Sequence, residues 1–283
     1  ALNPGLVWCS ITGYGQDGPY ADRAGYDVIA QGEGGIMSVT GEPDGEPMKV
    51  GIAIVDITTG MFACNAILAA LRVRDQTGKG QKIDMALLAS AVAWLANVGS
   101  AYLVTGELPK RYGNAHANLV PYQTFKARDR WMTVGVGNDR QFQILCRILG
   151  LEHLATDERF ATNPARVANR DELIPILQEA FATRDADDWL EELSAAGIPC
   201  GPINTVDRVF AHPQIQHRKM VVEVPHPTIG TLRMAGPPYI FSETPATVRS
   251  PPPLLGEHTD LVLRERLGYS DEQIAQLRAE GVV

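Results

Sequence analysis

Asp56 closes the apolar run "KVGIAIVD" and stands just before Ile57–Arg74, where Met61, Cys64, Ile67, Leu68 and Leu71 recur at helical spacing. A carboxylate at the start of a helix has two uses. It is a preferred N-cap, accepting hydrogen bonds from the first free amides. It is also a covalent nucleophile, and the small neighbours Thr58, Thr59 and Gly60 leave room for a substrate. From the residues alone both readings stand open.

A second stretch, "SITGYGQDGPY", sets Gly13, Gly15 and Gly18 in the spacing G-x-G-x-x-G after an apolar run. In a dinucleotide-binding domain such a loop opens a helix that faces the pyrophosphate, and an acidic residue follows a second strand. Here Ala24-Gly25 would break any helix begun at Pro19, and no β-branched strand ending in Asp or Glu follows. The loop therefore reads as a turn after a sheet strand, and neither NAD nor FAD is expected on it.

Other chemistries are narrowed by what the chain holds. Cys9, Cys64, Cys146 and Cys200 are widely spaced, with no C-x-x-C pair, so neither a disulfide framework nor a zinc site is expected. A reducing compartment fits: cytoplasmic, or mitochondrial in a eukaryote. The net charge of −8 comes without any run of Lys or Arg, which argues against nucleic acid or an anionic membrane as partner. No uninterrupted apolar run reaches membrane-spanning length. With 283 residues, 45% apolar and 20% charged, the chain has the balance of one large domain or two ordinary ones.

The elements that must position these groups follow from periodicity and punctuation. Leu6–Thr12 reads as a buried strand, Tyr26–Met37 as a short helix ending at glycines, and Lys49–Val55 as an apolar strand-like lead into the helix Ile57–Arg74. "DQTGKGQ" ends that helix, and a second long, largely buried helix is expected over Met85–Val104. "ELPKRYGNAHA" is a polar boundary loop. Tyr122–Val136 alternates as a hairpin with "ARDR" at its turn. Helices are expected over Arg140–Leu149, Asp171–Thr183, Ala186–Ala196 and Asp271–Glu280, and short strands at Val221–Val224 and Thr231–Met234. "RSPPPLLGEHT" reads as extended. The order suggests an α/β or α+β protein with two lobes.

Six segments, taken in order, resemble one family: the family III coenzyme A transferases of the CaiB/BaiF type, which also contain the alpha-methylacyl-CoA racemases. They are "ITGYGQDGPYADRAGYDVIAQGEGGIMSVTG", "GIAIVDITTGMFACNAILAAL", "TGKGQKIDMALLAS", "VPYQTFKARDRWMTVGVGNDRQFQILCRILG", "GIPCGPINTVDRVFAHPQIQHRKMV" and "PPPLLGEHT". The motifs "GNAHANLVPYQTFK" and "RSPPPLLGEHT" are most similar to the dicarboxylate enzymes of that family.

The resemblance implies an α/β fold: a Rossmann-like large lobe that holds CoA rather than NAD, a smaller α+β lobe, and an interlocked homodimer. It implies a large lobe over 1–105, a small lobe over 106–210 and a tail, 211–283, that returns to the large lobe. It also implies that most of the nucleotide-binding domain lies upstream of Leu6. Asp56 falls on the family's catalytic aspartate, which exchanges CoA between acids through covalent intermediates. The substrates implied are an acyl-CoA and a free, dicarboxylic acid, with no tightly bound cofactor and no metal.

Tyr26 stands where the racemases have a histidine acid/base, and a phenol with an ordinary pKa near 10 is a poor base at neutral pH, which favours transfer. Tyr26 either touches the acyl group or packs. Asp27 either positions groups in the site or caps the helix "VIAQ". Arg23 either meets the CoA phosphates or is a solvated surface residue. The glycine-rich lid of some relatives is replaced here by "RYGNAHANL", whose Asn114 and His116 are candidates for a substrate carboxylate. His258 is expected to fix the returning tail. A racemase, and a non-catalytic chain needing a partner that carries the CoA lobe, are the competing readings.

Overall fold

The computed structural model describes residues 3–283, which divide into two compact units, 3–202 and 203–283. The first unit begins with β1 (Trp8–Thr12), the glycine loop, α1 (Asp27–Glu33) and α2 (Ile36–Val39). Then come α3 (Ile54–Thr77), β2 (Lys82–Ala86), α4 (Leu87–Ala93) and α5 (Ala96–Thr105). β1 and β2 pair in parallel, from Trp8 opposite Lys82 to Thr12 opposite Ala86, with α3 as the crossover. Ala30, Ile36, Val55, Leu87 and Ala91 form a small core where α1, α2, α3 and α4 meet.

The second half of this unit has a core of its own. β3 (Tyr122–Lys126) and β4 (Trp131–Gly135) form the expected hairpin. Around it lie α6 (Asp139–Ile148), α7 (Asn163–Ala168), α8 (Arg170–Phe181) and α9 (Ala186–Ala195), and β5 (Cys200–Pro202) adds to β4. Phe125, Met132, Phe142, Leu145, Phe160, Leu173, Leu177, Phe181 and Leu193 are all fully buried there. The second unit holds α10 (Val206–Ala211), α11 (Pro213–His217), the antiparallel pair β6 (Val221–His226) and β7 (Gly230–Ala235), α12 (Thr259–Leu267) and α13 (Asp271–Ala279).

Several expectations are corrected. Lys49–Ala53 is not a strand, and α3 begins at Ile54 because Val55, 1% exposed, belongs to the core. The helix stop at "DQTGKGQ" holds, with α3 ending at Thr77, but Met85 and Ala86, expected to open the next helix, belong to β2, a partner for β1. The single helix expected over Met85–Val104 is two, α4 and α5, bent by 77° across a break where Ala96 has a φ of 40°. α5 has no buried residue, so the expectation of a largely buried helix fails there. α3 is also long and apolar enough to cross a membrane by length and composition, which a search for uninterrupted apolar runs overlooks. It packs on β1, β2, α1 and α4, as a domain helix does.

Candidate active site around Asp56 and Asp27

Asp56 lies in the first turn of α3 and is exposed. The N-cap is Ala53, and no side chain of the helix's own start caps it. The cap comes from another element. Asp27 Oδ1 accepts hydrogen bonds from the backbone N–H of Val55 at 2.8 Å and of Asp56 at 3.2 Å. Of the two roles open for Asp56, capping is therefore taken by Asp27. Nor does Asp27 merely cap its own helix: its carboxylate lies against the positive end of α3.

A buried glutamine holds that carboxylate in place. Gln31, one turn further along α1 and fully buried, donates from Nε2 to Asp27 Oδ2 at 2.6 Å. Its Oε1 accepts from the Val50 backbone at 2.8 Å. Both polar ends of the amide are thus satisfied, and the 50–56 segment is tied to α1 at two points. The Thr58 hydroxyl donates back to the Ile54 carbonyl at 2.8 Å. The Thr59 hydroxyl, fully buried one turn after Asp56, has no partner among the described residues.

Tyr26 is the residue before α1 and is 70% exposed, so the packing alternative for it fails within this chain. Its neighbour Gly25 lies so close to Gly13 that a Cβ on either would come within 2.6 Å of the other's Cα. This explains two of the glycines near the site: the first turn of the glycine loop must touch the backbone that leads into Tyr26 and Asp27. Gly15 donates to Thr12 Oγ1 at 2.9 Å and Gln16 to Asp84 Oδ2 at 2.9 Å, so these loop amides are spent inside the protein. Gly15 and Gly18 have φ of 102° and 87°, the left-handed region glycine favours. The loop opens no helix, in agreement with the turn reading. Arg23 stacks over the Tyr20 ring at 3.6 Å from its centroid and is otherwise exposed.

Asn114 and His116 belong to a different loop. His116 Nδ1 accepts from the backbone N–H groups of Asn118 and Leu119 at 3.0 and 3.1 Å. Asn114 lines a cavity of about 350 Å³ with Tyr122, Thr133 and Cys200. His116 lines another of about 700 Å³ with Val39, Asn97, Lys110, Tyr112 and Asn118. The hydrogen bonds of the described residues join Asp27 to Asp56 directly, and none joins either of them to Asn114 or His116. Gln31 is the functional residue that reading by motif missed. Its signal was present, a glutamine four residues after Asp27 on one helix face. Among the described residues no cluster of three or more His, Cys, Asp and Glu side chains has the arrangement to hold a metal ion.

The chain belongs to CoA-transferase family III, whose family model matches residues 1–259. It is 44% identical over 282 residues to the succinyl-CoA:glutarate CoA-transferase of Homo sapiens, spanning 64% of that protein's length. It is 47% identical to the succinate–glutarate CoA-transferase of Agrobacterium fabrum over 93% of this chain and 66% of that one. The crystal structure of a CAIB/BAIF family protein from Brucella suis superposes with a TM-score of 0.82 at 48% identity, covering 93% of this chain and 68% of that one. The chain thus spans a little under two thirds of the length of these two curated relatives.

Proposed function

We propose that this chain carries the catalytic aspartate of an enzyme that moves CoA from an acyl-CoA to a dicarboxylic acid. The observation that carries the reading is the division of labour between two acids: Asp27 satisfies the start of α3, and the Asp56 carboxylate is exposed and free of hydrogen bonds among the described residues. A carboxylate that is not engaged as an acceptor keeps its nucleophilicity. The substrate class comes from the relatives, whose names specify succinyl-CoA and glutarate in one case and succinate and glutarate in the other.

The steps balance without an outside reagent. An Asp56 oxygen attacks the thioester carbonyl, the C–S bond breaks, and CoA leaves as thiolate, giving a mixed anhydride. The thiolate attacks the aspartyl carbonyl, the donor acid leaves as carboxylate, and an aspartyl-CoA thioester remains. The acceptor carboxylate attacks that thioester to form a second anhydride, expelling the thiolate. The thiolate then attacks the acyl carbonyl and frees Asp56. Thioester and anhydride are similar in reactivity, so the site's tasks are to orient the groups and to exclude water from the anhydrides.

In this reading Tyr26 touches the acyl group and Arg23 meets a CoA phosphate; the exposure of both side chains supports it. A second copy of the chain in an interlocked homodimer accounts for much of the uncovered apolar surface. Met61 is 60% exposed, Leu103 83% and Val104 85%, and among the described residues β1 and β2 form a parallel pair with no further strand beside them.

The test is a covalent adduct. The full-length protein incubated with succinyl-CoA and digested yields the Asp56 peptide carrying CoA, and glutarate discharges it. Asp56→Asn carries none. Turnover by Asp56→Asn would overturn the assignment.

A further inference from the structure

The loop that carries Asn114 and His116 is held from both sides by guanidinium groups. On one side, Arg111 donates to three carbonyls of the turn after α2: Glu42 at 3.0 Å, Pro43 at 3.2 Å and Gly45 at 2.8 Å. The Gly113 N–H donates to the Gly41 carbonyl at 3.0 Å. On the other side, Arg170 donates to the carbonyls of His116 and Ala117 and lies over the Tyr112 ring at 5.3 Å. Asn163 donates to the Asn118 carbonyl at 2.8 Å and accepts from the Val120 N–H at 3.1 Å. Within the loop, the His116 N–H donates to the Tyr122 carbonyl at 2.9 Å. A segment with this many fixed main-chain groups is a wall and not a lid.

The clamp also fixes the chemistry of one side chain. Two backbone N–H groups point at His116 Nδ1, so that nitrogen is an acceptor and the neutral ring carries its proton on Nε2. Nε2–H is then the ring's one donor, and His116 lines the 700 Å³ cavity. Lys110 and Glu107 line the same cavity with opposite charges, so net charge does not make it selective for anions. A fixed donor does. Val39 also lines this cavity, at the end of α2, and Ile36 of α2 packs in one core with Val55 of α3. One wall of the cavity is therefore built on the same core as the helix bearing Asp56.

We propose that Arg111 and Arg170 are positioning residues that hold His116 as a fixed Nε2–H donor, and that this donor reads the second carboxylate of the dicarboxylic substrate. The proposal rests on the transferase reading above. It makes discrimination between acids a property of a preorganised loop, with little reorganisation on binding.

The experiment compares glutarate with valerate, a monocarboxylate of the same chain length, as acceptors for the full-length protein. In His116→Phe and in Arg170→Met, the ratio of kcat/KM for glutarate over valerate falls about tenfold or more, the effect of one hydrogen bond to a charged group. The loss lies in KM for glutarate, and Arg170→Lys recovers part of it. The thermal unfolding midpoint of each variant, and loading of Asp56 with CoA at saturating succinyl-CoA, which offsets any loss in KM, are measured as proof of a folded site. A variant that loads Asp56 and keeps the wild-type ratio overturns the proposal, as does an equal loss for both acids. A wild-type protein that never loads Asp56 overturns instead the transferase reading on which it rests.

Discussion

One oxygen of Asp27 receives the backbone N–H of Asp56 at 3.2 Å and that of Val55 at 2.8 Å, so one acid's side chain fixes the other acid's main chain. Asp27→Ala removes this cap and orphans Gln31 Nε2. It is expected to lower stability by about 1–2 kcal/mol, with Asp27→Asn costing less because the amide oxygen still accepts. Urea unfolding of both variants checks the order. Equal stability of Asp27→Ala and wild type would show that the start of α3 is held by packing alone.

Gly13 and Gly25 are predicted to be as intolerant as core residues. Either alanine puts a Cβ within 2.6 Å of a backbone Cα, where no side chain can swing aside. Each substitution is expected to cost about 1–3 kcal/mol, the range for overpacking, and to displace Tyr26 and Asp27. Gly18→Ala meets no atom within 4 Å and suffers only from its φ of 87°, so it is the milder variant. Thermal unfolding of the three ranks them.

Arg166 is fully buried and donates to the Val120 carbonyl at 2.6 Å, the Phe160 carbonyl at 2.9 Å and Asp139 at 2.8 Å. Its guanidinium also lies 4.3 Å from the centroid of the Phe142 ring. Arg166→Met keeps the bulk and leaves two carbonyls without donors. A loss of about 3 kcal/mol is expected, mostly the cost of those orphaned acceptors, because Asp139 keeps 48% of its side-chain surface in water. An unchanged urea midpoint would refute this.

Cys146 is buried beside Phe142 and Leu145, and burial pushes its thiol up to about 12. The folded state holds the neutral form, so its contribution is whole below about pH 9 and is lost as pH rises towards 12. In native protein at pH 8 a thiol reagent leaves Cys146 unmodified, and unfolding in urea releases it. Labelling at the native rate of an exposed thiol would contradict the burial.

The legible parts of this molecule were those whose signal is local. The hairpin Tyr122–Val136 and α6, α8, α9 and α13 alternate or recur with the period of their own element, and Phe142, Leu145, Leu173 and Leu177 carry that pattern into the core. β2 was not legible because its strand identity is set by β1, some seventy residues earlier in the chain. The start of α3 was misread because Val55 obeys a tertiary contact and not the apolar run it ends. In the site, Asp56 announced itself by type and position. Its partner Asp27 was visible as an acid but not as the cap of a helix twenty-seven residues away. Arg111 and Arg170 gave no sign, since their partners are main-chain carbonyls that no residue type marks.

The two cores of the first unit differ in how they are drawn from the chain. One is made entirely from residues 120–198, while the other gathers five residues scattered from Ala30 to Ala91 and leaves α5 uncovered. Short loop closures suffice for the first, so it is the natural nucleus on folding, able to collapse on itself as synthesis proceeds. The part bearing Asp56 closes longer loops for less burial and follows later. Its exposed apolar helices are then the surface at risk of aggregation until covered, and a chaperone is expected to meet the chain there first.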